Sequence, residues 1–480
     1  MLTPLLFAIE TPDQVRESLN RLEAGLGKGQ AVPIPAQLRR NLSLTENSAD
    51  PVLECDEILT SLHIYTRTIR NPFSDPLTTK RGLSIVGRYA FGSPDVPLNT
   101  QRIAARCLNN IIVLAQPMRQ VFVDEGYPQK VIARLKNGDP EDELACGNLL
   151  LFSSVQTTLD LNPFFESGDL AEPINDNLLR HSKSDVPLSN DPAQPAVASL
   201  KLMSTLAVSY EAQAHRFIPS FQPVFDLLDK VRIPSPPMQL PVSLLVGCLA
   251  SVPFHDKSRK GVTFLKSNVD KLIDVVDASL KSYAGKAGEM NLLTPMVALL
   301  RVSQAADLES ETIKQLKERL LPSEEDRKEV LGKGKTLPHR LLHFGVNSTS
   351  PELRDPTLSL LFELSNKDSR EFIRNVGFGN AVGYLTTKGI NVSQEDMAAS
   401  GADANNSRPI NPITGQRMDM EQDVDLPEMT EEEKEREAER LFVLFERLRA
   451  TGVVNVENPA ARAASMPSVE EVNSSDDEKK

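Results

Sequence analysis

The sequence predicts an all-α protein, an armadillo- or HEAT-like superhelix of helical repeats with a flexible acidic C-terminal extension that carries one amphipathic helix. Between residues 11 and 388, apolar residues recur at spacings of three and four, and almost no segment alternates with a period of two. The 18 Phe, 6 Tyr and lack of Trp suit stacked helices better than a β-sandwich. At 480 residues the chain is too long for one compact core, which a repeat array does not require.

A recurring apolar segment marks the predicted inner helix of each repeat. Its six copies are 107–112, 146–150, 200–203, 244–247, 297–300 and 358–362. The first two superpose at an offset of 39 residues, and the later ones lie roughly 45 to 60 residues apart, longer than an undecorated repeat unit. Polar insertions at 182–195 and 255–261 account for the excess. Because a helix pair cannot bury its own apolar face, pairs are expected to stack over residues 1–390 and form a long concave groove.

The negative charge of the chain is concentrated at its C-terminal end. The chain has 53 Lys and Arg against 66 Asp and Glu, a net charge of −13. Residues 391–480 hold 21 acidic against 10 basic side chains, so they carry −11 and the first 390 residues carry −2. A nearly neutral body with an acidic tail argues against nucleic acid or anionic lipid as the ligand, since both require a cationic surface. A protein partner is expected instead.

The cysteines and the apolar segments indicate the compartment. Cys55, Cys107, Cys146 and Cys248 form no CxxC pair and lie in mostly apolar helical segments, so they are expected to be reduced core thiols. The first nine residues lack the basic region of a signal peptide, and the longest apolar run, 244–254, is too short to span a bilayer. These features predict a cytoplasmic protein without direct membrane insertion.

Two glycine-containing patterns resemble nucleotide-binding motifs and fail on closer comparison. Gly334-Lys335-Thr336 matches the end of a phosphate-binding loop, but Glu329 stands where that motif needs a glycine, and a charged helix precedes it. Gly377 and Gly379 miss the dinucleotide spacing, because Val382 occupies the position of the third glycine. A turn between two helices is the better interpretation of the second pattern.

The histidines do not form a recognisable catalytic or metal motif. His339 and His343 lie four apart and could share a helix face, but Arg340 replaces the glutamate of a zinc-protease motif, and no further Cys or His is adjacent. A structural role is therefore favoured for both. With no nucleophile motif either, we expect no covalent catalysis, no cofactor and no metal.

Three elements in a fixed order characterise the last quarter of the chain. The segment Gly377-Phe378-Gly379-Asn380-Ala381 is followed, after a polar gap, by Ile410-Asn411-Pro412-Ile413-Thr414-Gly415, and a charged amphipathic helix begins at Thr430. With the segments 340–343 and 371–383, they resemble the synembryn family, and specifically a fungal-type member. Synembryns are cytosolic chaperones and guanine nucleotide exchange factors for G-protein α subunits (Gα). The likeness runs from about residue 50 to 459 and is specific after residue 340.

The resemblance implies a set of partner-binding residues in the groove. Family members grip the C-terminal helix of Gα there with basic and amide side chains, and Arg67, Asn110 and Arg340 occupy matching positions. His63 departs from the arginine that the family has at its position. Arginine suits carboxylates and carbonyls, and an asparagine amide offers both a donor and an acceptor. The residues alone leave two alternatives open, namely that Arg67 is a solvated surface residue and that Asn110 caps a neighbouring turn.

The amphipathic helix predicted over 430–450 has a clear start and one apolar face. Thr430 as N-cap and Glu433 three residues later form a capping box. The apolar stripe consists of Ala438, Leu441, Phe442, Phe445 and Leu448. From the residues alone, this helix packs back on the repeats as a cap. The resemblance implies instead that its apolar residues Leu441, Phe442, Phe445 and Leu448 reach the nucleotide domain of Gα.

The segments on either side of that helix contain candidate phosphorylation sites. Residues 391–429 are predicted to be a flexible linker that includes the Asn-Pro-Ile-Thr-Gly motif, and 451–480 a disordered acidic tail. Asp396 lies three residues after Ser393, the spacing that an acidophilic kinase requires, and animal relatives are phosphorylated in this linker. Ser393 is therefore a candidate regulatory site, with an ordinary linker serine as the alternative. Ser474 and Ser475 are further candidates by composition alone.

The resemblance implies a mechanism that needs no covalent chemistry. The chain is expected to bind GDP-bound, nucleotide-free or nascent Gα, to stabilise the nucleotide-free state, and to reach the plasma membrane or cell cortex through Gα. Periodicity and charge alone support a second hypothesis, an armadillo-type scaffold that binds a linear peptide without exchange activity. A third, a phosphate-loop enzyme, would require nucleotide hydrolysis that Lys335→Ala abolishes, and we expect none.

Overall fold

The computed structural model describes residues 9–26, 51–92, 95–191, 193–253, 264–306, 310–390 and 409–421, with single positions at 392, 430, 436, 439, 440 and 443. The chain divides into two compact units, Met1–Ser258 and Arg259–Lys480. Within these described ranges the regular structure is helical, and β pairing is limited to isolated bridges such as that between Ile410 and Arg417. The predicted all-α class is confirmed.

The first unit is a series of packed helices. Its described helices are α1 (Pro12–Leu26), α2 (Pro51–Tyr65), α3 (Lys80–Phe91), α4 (Leu98–Leu114), α5 (Pro117–Asp124), α6 (Tyr127–Lys136), α7 (Pro140–Ser153), α8 (Asn162–Glu166), α9 (Ala171–Ser182), α10 (Pro195–Ser209), α11 (Phe221–Asp229) and α12 (Val242–Ser251). Many begin with proline, whose fixed φ and missing N–H suit the first turn. Small polar residues cap others: the carboxylate of Asp139 accepts from the N–H of Glu141 (3.0 Å) at the start of α7.

One helix of each repeat forms a continuous stack through this unit. Helices α2, α4, α7, α10 and α12 pack each on the next, and the four predicted inner segments from 107–112 to 244–247 lie in α4, α7, α10 and α12. The predicted polar insertion at 182–195 falls between α9 and α10, where the Lys230 ammonium donates to the carbonyls of Ser182 (2.6 Å) and Ser184 (3.0 Å). The predicted insertion at 255–261 lies outside the described residues. Periodicity therefore located the stacked helices correctly.

Hydrogen bonds at both ends show that α2, α4, α7 and α10 run parallel. Near their N-terminal ends the bonds, donor first, are Asn99 to Asp56 (2.7 Å), Arg102 to Asp142 (3.1 Å) and Ser199 to Glu143 (2.5 Å). Near their C-terminal ends they are Asn110 to Thr66 (2.7 Å), Gln116 to Gln156 (2.6 Å) and the hydroxyl of Tyr210 to the carbonyl of Leu159 (3.1 Å). The C-terminal ends of these helices therefore lie along one edge of the unit.

The core is aliphatic and aromatic, and it contains most of the thiols. Cys107, Cys146 and Cys248 are buried and free, and Cys55 is half-buried and free. Burial raises the pKa of the Cys107 and Cys146 thiols to about 12. The predicted core thiols are thus found at three of the four positions, and they are protonated at neutral pH.

The second unit continues the helical pattern. Its described helices are α13 (Lys266–Tyr283), α14 (Leu293–Ala305), α15 (Glu311–Leu320), α16 (Leu337–Asn347), α17 (Pro351–Leu364), α18 (Ser369–Val376) and α19 (Phe378–Thr387). The predicted inner segments 297–300 and 358–362 lie in α14 and α17, which pack directly on each other. Gly377, with φ of +83°, both ends α18 and begins α19. The interpretation of this glycine as a turn between helices is correct.

Candidate functional site

The C-terminal ends of the parallel helices in the first unit carry a row of exposed aliphatic side chains. Ile64 lies in the last turn of α2, Val113 in the last turn of α4, Val155 just after α7, and Val208 in the last turn of α10. We call this row the inner-helix edge. Each is apolar area at the same end of a parallel helix, which contact with an apolar partner would remove from water.

Asn110 lies beside this edge and hydrogen-bonds to the end of the neighbouring helix. Its side-chain nitrogen donates to the hydroxyl of Thr66 (2.7 Å) and lies 3.3 Å from Nδ1 of His63. The Thr66 hydroxyl in turn donates to the carbonyl of His63 (2.5 Å). The NH₂ group of Asn110 is therefore engaged by two side chains at the end of α2, while its carbonyl oxygen has no partner among the residues that the structure describes.

Two exposed arginines lie next to this amide. Arg67 follows the last turn of α2, and Arg106 lies one helical turn before Asn110 on α4. Burial lowers the pKa of His63, and the charges of Arg67 and Arg106 lower it further, against the effect of a backbone hydrogen bond to Arg106. Since three basic side chains meet here and His63 is kept neutral, the end of α4 presents two fixed positive charges beside an amide.

Arg340 belongs to the second unit and is already engaged there. On α16 its guanidinium donates to the carboxylate of Asp277 and to the carbonyl of Lys335. Burial alone would raise the pKa of Asp277, but hydrogen bonds from Lys281 and Arg340 lower it overall. Arg340 also lines a cavity of about 350 Å³ together with His343. Its predicted contact with a partner stays a prediction. Any ligand of Arg340 has to compete with its ion pair to Asp277 or bind beside it.

His339 organises the loop that resembles a phosphate-binding motif. Its Nδ1 accepts from the backbone N–H groups of Gly332 (3.1 Å) and Gly334 (3.0 Å), and its Nε2 bonds to the carbonyl of Asp326 (3.0 Å). The hydroxyl of Thr336 donates to the Asp326 carboxylate (2.5 Å). The groups that would cradle a phosphate are thus occupied within the protein. The structural role predicted for His339 is found.

The Asn-Pro-Ile-Thr-Gly motif forms a docked turn, which we call the clasp (residues 409–421). The Asn411 side-chain oxygen accepts from the N–H of Ile413 (2.9 Å), and the Gly415 N–H donates to the Asn411 carbonyl (2.8 Å). The carbonyls of Pro412 and Ile413 then accept from the first N–H groups of α19, those of Phe378 (2.7 Å) and Gly379 (3.1 Å). The clasp therefore caps the N-terminal end of α19 with backbone carbonyls.

The clasp also bonds to the segment between α15 and α16. The Leu331 N–H donates to the Thr414 carbonyl (3.2 Å), the Arg417 N–H donates to the Arg327 carbonyl (2.8 Å), and the Gln416 amide donates to the carbonyl of Lys328 (2.9 Å). The sequence places this motif within a predicted flexible linker, 391–429. Residues 409–421 are instead folded, because they pair with the first N–H groups of α19 and with backbone groups of the segment between α15 and α16.

Several residues of these sites were not predicted. Thr66, Arg106 and the aliphatic residues of the inner-helix edge were missed, although Arg106, Asn110 and Val113 follow each other at spacings of four and three and so share one helix face. The predicted contacts Leu441, Phe442, Phe445 and Leu448 and the phosphosites Ser393, Ser474 and Ser475 lie outside the described residues. They stay predictions.

The described residues limit two other kinds of site. None of the described helices has both the length and the apolar composition that crossing a membrane requires. Over the same parts of the chain, His, Cys, Asp and Glu side chains form no group of three or more suited to a metal ion.

Residues 58–466 match the model of one protein family, described as the guanine nucleotide exchange factor synembryn. The chain belongs to the synembryn family. A synembryn-like chaperone of Schizosaccharomyces pombe is 33% identical over 188 residues, which cover 36% of this chain and 35% of the relative. The chaperone Ric-8A of Xenopus tropicalis is 26% identical over 226 residues, 45% of this chain and 41% of the relative. The chaperone Ric-8 of Drosophila pseudoobscura pseudoobscura is 28% identical over 193 residues, 38% and 34%.

The match to the synembryn family includes both sites described above. The first unit's inner-helix edge from Ile64 onward and the whole clasp fall within the matched residues. The chain nevertheless spans only about two fifths or less of the length of the three relatives named. Membership of the synembryn family rests on the model match, and the resemblance found in the sequence is confirmed.

Proposed function

We propose that this chain binds Gα and serves it as a guanine nucleotide exchange factor and folding chaperone. The description of the matching family names exchange activity, and the names of the relatives include chaperone. The observation that carries the proposal is the inner-helix edge, where a row of exposed aliphatic side chains ends beside two exposed arginines and an amide oxygen. This combination fits an amphipathic helix whose chain ends in a carboxylate.

Each part of that surface suits one part of such a helix. The apolar face would pack on Ile64, Val113, Val155 and Val208, at about 1.5 to 3 kcal/mol for each large side chain fully buried. The terminal carboxylate and the last carbonyls would bind to Arg67 and Arg106, since guanidinium groups donate strong, charge-assisted hydrogen bonds. The C-terminal helix of Gα is the segment that we propose as this ligand.

Exchange then follows from linkage rather than from chemistry on the nucleotide. A protein that binds nucleotide-free Gα more tightly than nucleotide-bound Gα must weaken nucleotide binding by the same factor. A nucleotide held at nanomolar affinity corresponds to about 12 kcal/mol, so a large surface is needed. Withdrawal of the Gα C-terminal helix onto the inner-helix edge would loosen its contact with the nucleotide loops, and GTP binding would restore that contact and release the factor.

The same preference accounts for the chaperone role. A nascent Gα without nucleotide presents the state that this surface would bind, so one binding mode would serve both activities. The proposed partners are thus GDP-bound, nucleotide-free or nascent Gα, in the cytoplasm and, through Gα, at the plasma membrane or cell cortex. The buried free thiols of the first unit fit a reducing compartment.

The rate of GDP release from a purified Gα, with and without this protein, tests the proposal. We expect faster release, and a loss of about tenfold in Gα affinity for Val208→Asp, because a carboxylate would replace an apolar contact of the edge. The control is Val186→Asp, which alters a valine of similar exposure, 67% against 69%, in the connection between α9 and α10. Equal loss in both variants would remove the edge from the proposal.

A second comparison separates exchange from passive binding. The double variant Phe442→Ala and Phe445→Ala is expected to bind Gα with reduced affinity. In its presence, GDP release is expected to be no faster than from Gα alone. Binding by the intact protein without any acceleration would favour the armadillo-type scaffold instead.

A further inference from the structure

The amide of Asn110 has a single orientation that its neighbours determine. The Thr66 hydroxyl donates its hydrogen to the carbonyl of His63 (2.5 Å), so toward Asn110 the Thr66 oxygen is an acceptor. The group 2.7 Å from it must then be the NH₂ of Asn110 and not its carbonyl oxygen. That assignment also places the NH₂ group 3.3 Å from Nδ1 of His63, which has to be an acceptor in turn.

Both hydrogens of the amide are therefore used inside the protein. Asn110 is half-buried, and Thr66 is buried beneath it. The remaining polar atom, the side-chain oxygen of Asn110, has no donor among the described residues. Arg106 and Val113 are exposed on the same helix, four residues before and three after Asn110, and Arg67 is exposed directly after Thr66. Only a hydrogen-bond donor can satisfy that oxygen.

We propose that His63 and Thr66 are positioning residues that fix Asn110 as a hydrogen-bond acceptor, and that the partner atom bound there is a donor such as a side-chain N–H or O–H, because the backbone N–H groups in the last turn of a helix are already paired. This inference rests on the proposed function for the identity of the partner. It assigns different groups of the ligand to different residues: a carboxylate would be repelled by the amide oxygen and would bind to Arg67 or Arg106, whereas an N–H of the ligand binds to Asn110. By resemblance, family members have an arginine at the position of His63. A guanidinium has no acceptor atom, so an arginine could not accept the N–H of Asn110 as His63 does.

The ionisation of His63 gives the arrangement a pH dependence. The charged groups that act on the ring among the described residues are Arg67 on its own helix segment and Arg106 on α4; with burial they lower its pKa below the ordinary value of 6.5. Protonation would place an N–H at Nδ1 against the N–H of Asn110. The affinity for Gα is therefore expected to be highest above about pH 6.5 and to fall as the pH drops through the lowered pKa of His63.

Paired substitutions measure the positioning role through binding of a purified Gα. His63→Leu and Thr66→Val each remove one acceptor and are expected to weaken binding about fivefold, as expected for one hydrogen bond. His63→Asn restores an acceptor near the position of Nδ1, and Thr66→Ser keeps the hydroxyl, so both are expected to stay within about twofold of the parent protein. In His63→Asn the loss of affinity below pH 6.5 should also disappear. Equal losses in the conservative and the apolar variants would overturn the inference.

A measurement on the protein alone separates this inference from the proposed function. With ¹⁵N-labelled histidine, and His63→Asn to assign the signal, the His63 ring should carry its proton on Nε2 at pH 7.5. A proton on Nδ1 would overturn the inference even if Gα binds. If the Nε2 form is found and no Gα binds, the proposed function is overturned, and with it the identity of the partner.

Discussion

At the scale of single residues, the first unit is joined across repeats by buried charged side chains. The Glu143 carboxylate on α7 is only 1% exposed and accepts from the hydroxyl of Ser199 (2.5 Å), from Nε2 of His181 (2.8 Å) and from the Arg180 guanidinium. Three elements, α7, α9 and α10, therefore meet at one carboxylate. A buried charge is tolerated only when such partners satisfy it.

Loss of that carboxylate should destabilise the first unit. Glu143→Leu leaves the buried Ser199 hydroxyl without an acceptor, while Arg180, about one third exposed, can turn to water, so we expect a loss of about 2 to 3 kcal/mol. Urea unfolding of the parent protein and of the variant measures this change in the free energy of unfolding. Ser199→Ala added to the same chain should recover part of the loss, because the orphaned hydroxyl is gone.

The control for this substitution is Glu166→Leu at the exposed end of α8. A change within about 0.5 kcal/mol is expected there. If the two glutamate variants unfold at the same urea concentration, the Glu143 carboxylate does not hold α7, α9 and α10 together.

At the scale of elements, the clasp shows why some segments cannot be found from their composition. The inner helices were predicted correctly, because the apolar periodicity of a helix with one buried face can be detected within a single segment of the sequence. They are α4, α7, α10, α12, α14 and α17. The sequence predicts the clasp as part of a linker, because its folded conformation depends on carbonyl acceptors and N–H donors of α19 and of the segment before α16. Such backbone pairing leaves no pattern in the side chains.

Glycine is required on both sides of this contact, at Gly377 and at Gly415. Gly415 has φ of +71°, and a Cβ there would lie 2.3 Å from Cδ1 of Leu331. Gly415→Ala should therefore displace the clasp and leave the N–H groups of Phe378 and Gly379 without their acceptors. Amide hydrogen exchange of these two residues is expected to accelerate at least about tenfold, since their hydrogen bonds are lost.

Gly389 offers a matched control, because its φ of +69° is almost the same and nothing lies within 4 Å of a Cβ there. Gly389→Ala carries the same backbone strain without the clash. Fast exchange of Phe378 and Gly379 in both variants would show that strain, and not the Leu331 contact, is responsible.

The same distinction between local and distant signals applies to the candidate site. Asn110 and Arg67 were predicted through resemblance, and the structure brings both close to His63. The acceptor role of Thr66 and His63 was not predictable, since they lie 44 and 47 positions before Asn110 and only the packing of α4 on α2 brings them together. Arg340 was predicted as a ligand through the same resemblance, yet its ion pair with Asp277 spans 63 positions and could not be inferred from spacing.

At the scale of the whole molecule, the clasp joins the C-terminal part of the chain to α19 and to the segment before α16. A chain ending at Glu421 keeps helices α1 to α19 and the hydrogen bonds of the clasp to α19 and to the segment before α16, so it is the reference for the thermal midpoint. A chain ending at Ile390 removes the cap of α19 and should unfold several degrees lower, since two helix-terminal N–H groups lose their acceptors. Calorimetry measures both midpoints, and equal midpoints would show that the clasp adds nothing to stability.

The two truncations also separate stability from activity. The chain ending at Glu421 lacks Phe442 and Phe445, so under the proposed function it should fold normally and fail to accelerate GDP release. Full acceleration by this shorter chain would remove residues 422–480 from the mechanism.

The parallel stack of the first unit sets a rule for the sequence of any helix that binds along its edge. Packed helices lie about 8 to 10 Å apart, so the helix ends that carry the four aliphatic residues from Ile64 to Val208 repeat at about that interval. Two turns of an α-helix advance about 10.8 Å, or roughly seven residues. A ligand helix should therefore carry apolar side chains in a heptad register, one for each repeat, and need about 20 residues to reach all four.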